Sequence, residues 1–466
     1  MKLSKQIFFG IVSFLLLFSC TENNEVSSII EPPQTSNTVN MRISSVAKAI
    51  EHYVHSNHPV TRGESIQIIP VIIEGDTVMN IVNHAFGGFE VFSNDFHLPM
   101  VLVKSKVGTF DGFNIPLSDP FHSFMYGIAQ TIHEINLKSE QTENVDLQWY
   151  THLNLPEINQ TKGDDYEFVG IAVEASTKVF TPKGGRLKTK WHQRYPYNNY
   201  AQHCYKHNDE HVAIGCGSIA IGQYLKYTNS QYGIPKYLPE SAEYNAQENR
   251  YYFSGETEKD WALIDDGSGN LLNNSAMIDK TALFLGAIAS KIGRISSYYD
   301  CDHGIGSFDI SERDYINNAL GTKYSFIDFS IADAEEILKS GYPVYTASTG
   351  DVKTTDTTII AGHSYIIDYL ESVGLSYYEV YAKSNSLNED IEFPDTDEYG
   401  PNLEYYRSMY GDIRTSYQSS EKIGWISMNW GWGGLYDEIL YNATFSEWVV
   451  LDSSMTINFY KNQILK

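Results

Sequence analysis

Gly215-Cys216-Gly217-Ser218-Ile219-Ala220-Ile221-Gly222-Gln223 sets one cysteine between two glycines at the head of an apolar, helix-forming run. The N-terminus of a helix carries a partial positive charge. With a cationic His beside it, that charge draws a cysteine pKa from roughly 8.5 toward about 3.5–7.5. The plain alternative is a small, inert, buried thiol. Three other segments bear on the choice: Gln193 upstream, Gly362-His363-Ser364 downstream, and Asn429-Trp430-Gly431-Trp432-Gly433-Gly434 near the C-terminus. A thiol that cleaves an amide needs a base to take its proton and return it to the leaving amine, and His suits both steps. Cys216 and His363 take those roles. The second ring nitrogen of the base must be held, which the side-chain carbonyl of Asn429 is expected to do, with Trp430 covering that bond. The Gln193 amide and the Cys216 backbone N–H are the expected donors to a tetrahedral oxyanion. Gly362, Trp432 and Gly433 are expected to line the substrate cleft, glycine allowing close approach of another backbone. Each assignment has a structural competitor: His363 is one of 14 histidines, and the Trp-Gly motif also suits a core with a turn.

Outward from the cysteine, helices come first and strands second. Cys216 to Tyr227 and Met277 to Ile292 have helical periodicity, the latter with Leu283, Ala287, Ile288 and Ile292 on one side. Pro343 to Ala347, Thr357 to Ile360, Ser364 to Tyr369, Tyr377 to Lys383 and Trp425 to Trp430 alternate as strands do. That order predicts an α+β domain over 180–466. Before it, 42–56 reads as an amphipathic helix. Ile66 to Ile73, Thr77 to Val82, Phe89 to Ser93 and Met100 to Val103 read as strands, the first an edge strand because of Pro70. A small α+β domain over 41–155 is expected. Residues 156–190, ending in Lys183, Arg186, Lys188 and Lys190, are expected to be an exposed basic linker open to proteolysis.

Taken in order, Gln193-Arg194-Tyr195-Pro196-Tyr197-Asn198, Gly215-Cys216, Gly341-Tyr342-Pro343-Val344-Tyr345, Gly362-His363 and Asn429 to Gly434 resemble the streptopain family of secreted bacterial cysteine peptidases. Phe86 to Asp95 and Val107 to Asp111 look like that family's inhibitory propeptide. The resemblance implies a papain-like catalytic domain, helical half plus antiparallel sheet half, behind a small α+β prodomain. It implies a zymogen that hydrolyses peptide bonds through a thioester acyl-enzyme, with protein or peptide substrates and its own prodomain as inhibitor. Two other classes stay open: a catalytically inactive surface-binding lipoprotein on the same fold, and a thiol acyltransferase.

The first residues point to an envelope protein. Lys2 and Lys5 precede an apolar run from Ile7 to Phe18, and Leu17-Phe18-Ser19-Cys20 closes it. This reads as a lipoprotein signal over 1–20, with Cys20 lipidated, followed by a polar tether over 21–40. The apolar run is shorter than the roughly 20 residues of a membrane span. The expected location is a bacterial cell envelope, the lipid being the only membrane contact. A net charge of −25 argues against nucleic acid as a partner. Cys204 and Cys301 either pair or remain thiols. His203, Cys204, His207 and His211, with Asp209 and Glu210 between them, fall at helical spacing. Structural zinc usually brings paired cysteines, so a solvated His-rich face is preferred, with no metal and no cofactor expected.

The sequence departs from the family at Gly217-Ser218, where relatives have Val or Ala after the nucleophile, and at Glu438 after Asp437, where Gly is usual. The long stretch between His363 and Trp430 carries Glu389, Asp390, Glu392, Asp395, Asp397, Glu398 and Glu404. Residues 385–420 are read either as a lid or exosite beside the cleft or as a disordered acidic loop.

Overall fold

A computed structural model describes residues 46–55, 67–112, 120–138, 148–149, 166–201, 203, 211–236, 242–245, 250–253, 261–265, 275–294, 305–307, 309–353, 358–383, 399–434, 436–443 and 461–466. Apolar runs broken by Gly and Asn build four N-terminal strands: β1 (Gln67–Ile73), β2 (Asp76–Asn83), β3 (Phe89–Ser93) and β4 (Val101–Ser105). Glu74 and Gly75, both at positive φ, form the tight connection that turns β1 back on β2. Strand β1 is the edge of the sheet, where the missing N–H of Pro70 breaks no ladder. Helix α1 (46–55) and helix α2 (Pro120–Lys138) pack on this sheet. In α2, Phe121, Met125, Ile128, Ala129 and Ile132 recur at helical spacing and are buried.

A long strand, β5 (Tyr166–Phe180), leads into the second half. There α3 (Cys216–Tyr232), α4 (Ser275–Ile292) and α5 (Asp309–Leu320) form a helical lobe around Trp191, Ile214, Ile221, Leu225, Leu285 and Ile288. Short hairpins β6 (Ala242–Asn245) with β7 (Arg250–Phe253), and β8 (Gly293–Arg294) with β9 (Gly306–Ser307), edge the lobe. The sheet lobe follows: β10 (Phe326–Asp328), α6 (Ile331–Lys339), β11 (Val344–Lys353), β12 (Thr358–Lys383), α7 (Leu403–Tyr410), β13 (Ile413–Asn429), β14 (Ile439–Asn442) and β15 (Lys461–Leu465). The fold is α+β, a helical half against an antiparallel sheet.

Three features differ from expectation. First, the two expected domains share one sheet, in the order β1-β2-β3-β4-β14-β13-β12-β11-β15-β10. The seam is Val103 to Ser105 against Ile439 to Tyr441. One apolar core spans it, with Val78, Ile81, Val103 and Met125 packed among Ile331, Leu338, Ile367, Ile426 and Trp430. The outer edges of β14 and β4 each need a partner, and each supplies the other's.

Second, over Tyr166–Phe180 the expected linker is strand β5, paired with β12 from Leu370 to Lys383. Beyond it Lys183 N donates to Gly341 O at 3.0 Å, and Leu187 N to Asp368 at 2.9 Å. Third, β12 is one strand of 26 residues, where separate short strands were expected. Residues 399–420, expected as part of a lid or an acidic loop, are helix α7 and the first half of β13. Asn402 caps α7, and the Tyr406 hydroxyl donates to Ile171 O at 3.2 Å, close against Gly170. The paired end of this hairpin at Ala382 lies roughly 60 Å along β12 from His363 at about 3.3 Å per residue. The acidic residues Glu389 to Glu398 lie outside the described residues, as do Cys20, Cys204, Cys301, His207, Asp209 and Glu210. Among the described residues no helix is long and apolar enough to cross a membrane.

Candidate active site

Helix α3 begins at Cys216 because Gly215 turns the chain into it at φ +92°, a conformation L side chains rarely adopt. A Cβ at Gly215 would also collide with the Ile305 carbonyl. Ile214 N donates to Gln193 O at 2.8 Å and Ile305 N to Ala213 O at 3.0 Å, so the turn is held from both sides. Strand β12 brings His363 alongside. The Ser364 N–H donates to Cys216 Sγ at 3.4 Å. The thiol therefore meets the residue next to the histidine across a helix–strand junction.

His363 is held by the residue after Asn429. Its Nε2 lies 3.2 Å from the Trp430 carbonyl oxygen, and its ring lies against the Trp430 indole with centroids 5.1 Å apart. Nε2 can bond that carbonyl only as a donor, which fixes the neutral tautomer with Nδ1 as the acceptor. Asn429 was expected to hold the ring and instead ties the helix to the sheet. Its Oδ1 accepts from Gln223 Nε2 at 3.1 Å and Gly431 N at 3.2 Å, and its Nδ2 donates to Thr189 O at 3.2 Å. Gln223 also donates to Thr189 O at 3.1 Å. Two helical turns after Cys216, Gln223 lies on the same face of α3, a relation visible in the sequence though unused there.

Gln193 is 6% exposed and its side chain makes no hydrogen bond among the described residues. Its place beside the nucleophile turn suits an amide kept for a substrate oxygen. Trp432 bridges to His192 through the backbone, with ring centroids 5.1 Å apart, and Gly433 N donates to Trp191 O at 2.9 Å. The glycine-rich loop thus runs along residues 190–193. Gly431 is required there: at φ +70°, a Cβ would lie 2.6 Å from Ile219 Cγ2. Gly362 pairs with Thr349 one position before His363.

Two groups near the site escaped the sequence reading. Glu312 of α5 is 1% exposed and accepts from the hydroxyls of Ser364, at 2.9 Å, Tyr345, at 2.8 Å, and Ser307. Arg186, expected in the linker, donates to Asp368 at 3.1 Å, to the Asp437 carbonyl and to Ser427. Burial, reinforced by Asp368, raises the Asp437 carboxyl to about 7. A carboxyl with a folded pKa above its unfolded value stabilises most below that unfolded value, and loses its contribution as pH rises through 7. Asp437→Asn is expected to raise Tm at pH 8 and to raise it less at pH 5, read by calorimetry at both values.

Cys216 and His363 keep part of their surfaces open, yet their ionisable atoms lie deep in the protein. Desolvation, with the Glu312 charge, pushes the thiol up to about 11 against the pull of the Ser364, Gly217 and Cys216 amides. Desolvation lowers the imidazole to about 4. Both shifts favour the neutral thiol and neutral imidazole over the thiolate–imidazolium pair that attacks a carbonyl. The N-terminal half reaches this pair from behind. Phe124 of α2 meets the Trp430 ring at 5.3 Å, and Trp430 meets His363.

His203 and His211 form an isolated bridge with ring centroids 4.1 Å apart, and His211 Nδ1 lies 2.6 Å from Ala201 O. Among the described residues no cluster of metal-ligating side chains occurs.

Neither a protein-family model nor a curated protein matches the chain. Among solved structures it is similar to a mutant fragment of Prevotella intermedia prointerpain A, at 17% identity and a TM-score of 0.49. That match covers 86% of this chain and 98% of that one. It is also similar to the active wild-type Prevotella intermedia interpain A cysteine protease, at 17% identity and a TM-score of 0.36, covering 62% of this chain and 94% of that one. At this distance, function rests on the geometry of the site.

Proposed function

We propose that this chain is a cysteine endopeptidase made as a zymogen. The carrying observation is the junction of α3 and β12, where the Ser364 N–H meets the Cys216 sulfur and the neighbouring His363 is held by Trp430. In the working state Cys216 attacks the scissile carbonyl and His363 takes the thiol proton, then gives it to the leaving amine. The thioester is released by water, with His363 again the base. The Cys216 backbone N–H and the Gln193 amide receive the oxyanion, each donor worth about 10²–10³ in turnover. Protein or peptide chains are the substrates, and the N-terminal half is the inhibitor. The Phe124 contact on Trp430, the residue that holds His363, supports latency in the uncleaved chain. Residues 1–20 support placement at a bacterial envelope through a lipid on Cys20.

Incubating the chain without residues 1–20 in reducing buffer tests this reading by its size and by hydrolysis of an unfolded protein. Shortening and hydrolysis that both stop when iodoacetamide modifies Cys216 support it. Silence that persists after a tryptic nick would move the assignment to a binding protein on the same fold. Transfer to an added amine in place of hydrolysis would indicate an acyltransferase.

The position of activation cleavage is a separate expectation. A protease needs backbone it can pull into its own site. Strand β5 is laid along β12 over its whole length, and the amides of Lys183 and Leu187 are bonded. The new N-terminus is expected before Tyr166, leaving β5 on the catalytic half. N-terminal sequencing that starts within 167–193 would contradict this.

A further inference from the structure

Glu312 is a carboxylate almost wholly inside the protein, beside the nucleophile, and the cysteine mechanism does not call for one. A cut-off charge of this kind is costly unless its oxygens are bonded. Three hydroxyls bond it: Ser307 of β9, Tyr345 of β11 and Ser364 of β12. Space for it comes from Gly217, because a Cβ there would collide with the Glu312 carboxylate and the Ser307 hydroxyl. Glycine in the first turn of a helix costs about 0.5–1 kcal/mol relative to alanine. The departure at Gly217 thus has a physical partner in the chain: a small residue on α3 facing an acid on α5.

We propose that Glu312 is a positioning residue of the cysteine site, joining the α3 N-terminus, β9, β11 and β12 through one carboxylate and setting the charge that the Cys216 thiol faces. The proposal rests on reading Cys216 and His363 as the reacting pair. Ser364 is the link. Its hydroxyl donates to Glu312 at 3.0 Å and 2.9 Å, and its backbone N–H donates to Cys216 Sγ at 3.4 Å. One residue thereby ties the acid to the nucleophile and fixes the height of β12, and with it His363, against the helix. The groups the carboxylate meets include the Tyr345 phenol and the Ser307 and Ser364 hydroxyls, and the Cys216 thiol feels its charge. A negative charge there opposes the thiolate, and the shift of the Cys216 thiol has Glu312 as its second cause after desolvation.

The site's charge is readable without any peptidase activity. Full chains, wild type and Glu312→Gln, are alkylated with iodoacetamide across a pH series, and the Cys216 peptide is quantified by mass spectrometry. Glutamine keeps the size and an accepting oxygen, and removes the charge. The midpoint of Cys216 alkylation is expected to fall by about one pH unit, the effect of one charge a few ångströms away. Superimposed profiles would overturn the proposal. If Glu312→Gln does not fold, Ser364→Ala cuts the link while keeping the acid, and kcat falling at constant KM supports the proposal where an unchanged kcat overturns it. Gly217→Ala should lower Tm, and adding Glu312→Gln to it should not restore the loss, since the amide keeps the bulk that the new Cβ meets. A shifted profile on a chain that cleaves nothing would leave the Glu312–Cys216 relation intact and refute the peptidase reading alone.

Discussion

Replacing His363 by alanine is expected to lower kcat on a peptide substrate by roughly 10⁴–10⁶-fold with KM little changed, while Asn429→Ala costs stability first. The difference follows from what each side chain touches. His363 lies next to the residue whose N–H meets Cys216 Sγ, and it is held by the Trp430 carbonyl and indole. Removing it takes away the base and leaves Trp430 in place. Asn429 is 2% exposed and ties α3, through Gln223, to the Thr189 carbonyl and to Gly431. Its loss takes the acceptor from the Gly431 N–H and leaves the Gln223–Thr189 bond alone to join α3 to this loop, at about 1–3 kcal/mol for a buried group left unmade. A fall of several degrees in Tm is expected, with kcat per folded molecule reduced far less than by His363→Ala. Steady-state kinetics at saturating substrate, corrected for the folded fraction by calorimetry, separates the two. Equal losses of kcat at unchanged Tm would mean that Asn429 takes hold of the imidazole in the working state.

The helix that begins at Cys216 and the positions of several strands were legible because they rest on local rules: glycine before a helix, apolar periodicity, alternation. Cys216 to Tyr227 needed only extension to Tyr232, and Pro70 marked an edge strand correctly. What was not legible depends on pairing across long stretches of chain. Tyr166–Phe180 has the composition of a strand, but the polar and basic residues on either side of it read as linker until β12 supplies its partner. The Asn429 side chain has the chemistry to hold a histidine, and only tertiary contact shows that Gln223 and Thr189 claim it. Helix α2 carried a readable pattern in Phe121, Met125, Ile128 and Ile132 and was passed over. Glu312 was invisible for another reason: an isolated acid in a polar helix gives no sign of burial until Gly217 is seen to make room for it.

A chain begun at Tyr166 is expected not to fold to a stable monomer, whereas the same chain nicked before Tyr166 is expected to keep both halves in one particle. Ile331, Leu338, Ile367, Leu370, Ile426, Met428 and Trp430 belong to one buried cluster with the N-terminal Val78, Ile81, Val91, Val103, Phe121 and Met125. Fully burying side chains of this kind is worth about 1.5–3 kcal/mol each. Half of that over seven residues is on the order of 5–10 kcal/mol, comparable with the whole stability of a typical protein at 5–15 kcal/mol. The edge of β14 would lose its partner at the same time, and a bare strand edge beside an apolar wall is a template for aggregation. Size-exclusion chromatography of the truncated and the nicked chain, each with a urea melt, decides the matter. A soluble truncated monomer with a single cooperative transition would show that the sheet lobe carries its own core. Co-elution of the nicked halves until urea separates them would show that cleavage does not itself release the N-terminal half. Activation would then be expected to change how α2 bears on Trp430, since the Phe124 and His363 rings both meet that indole.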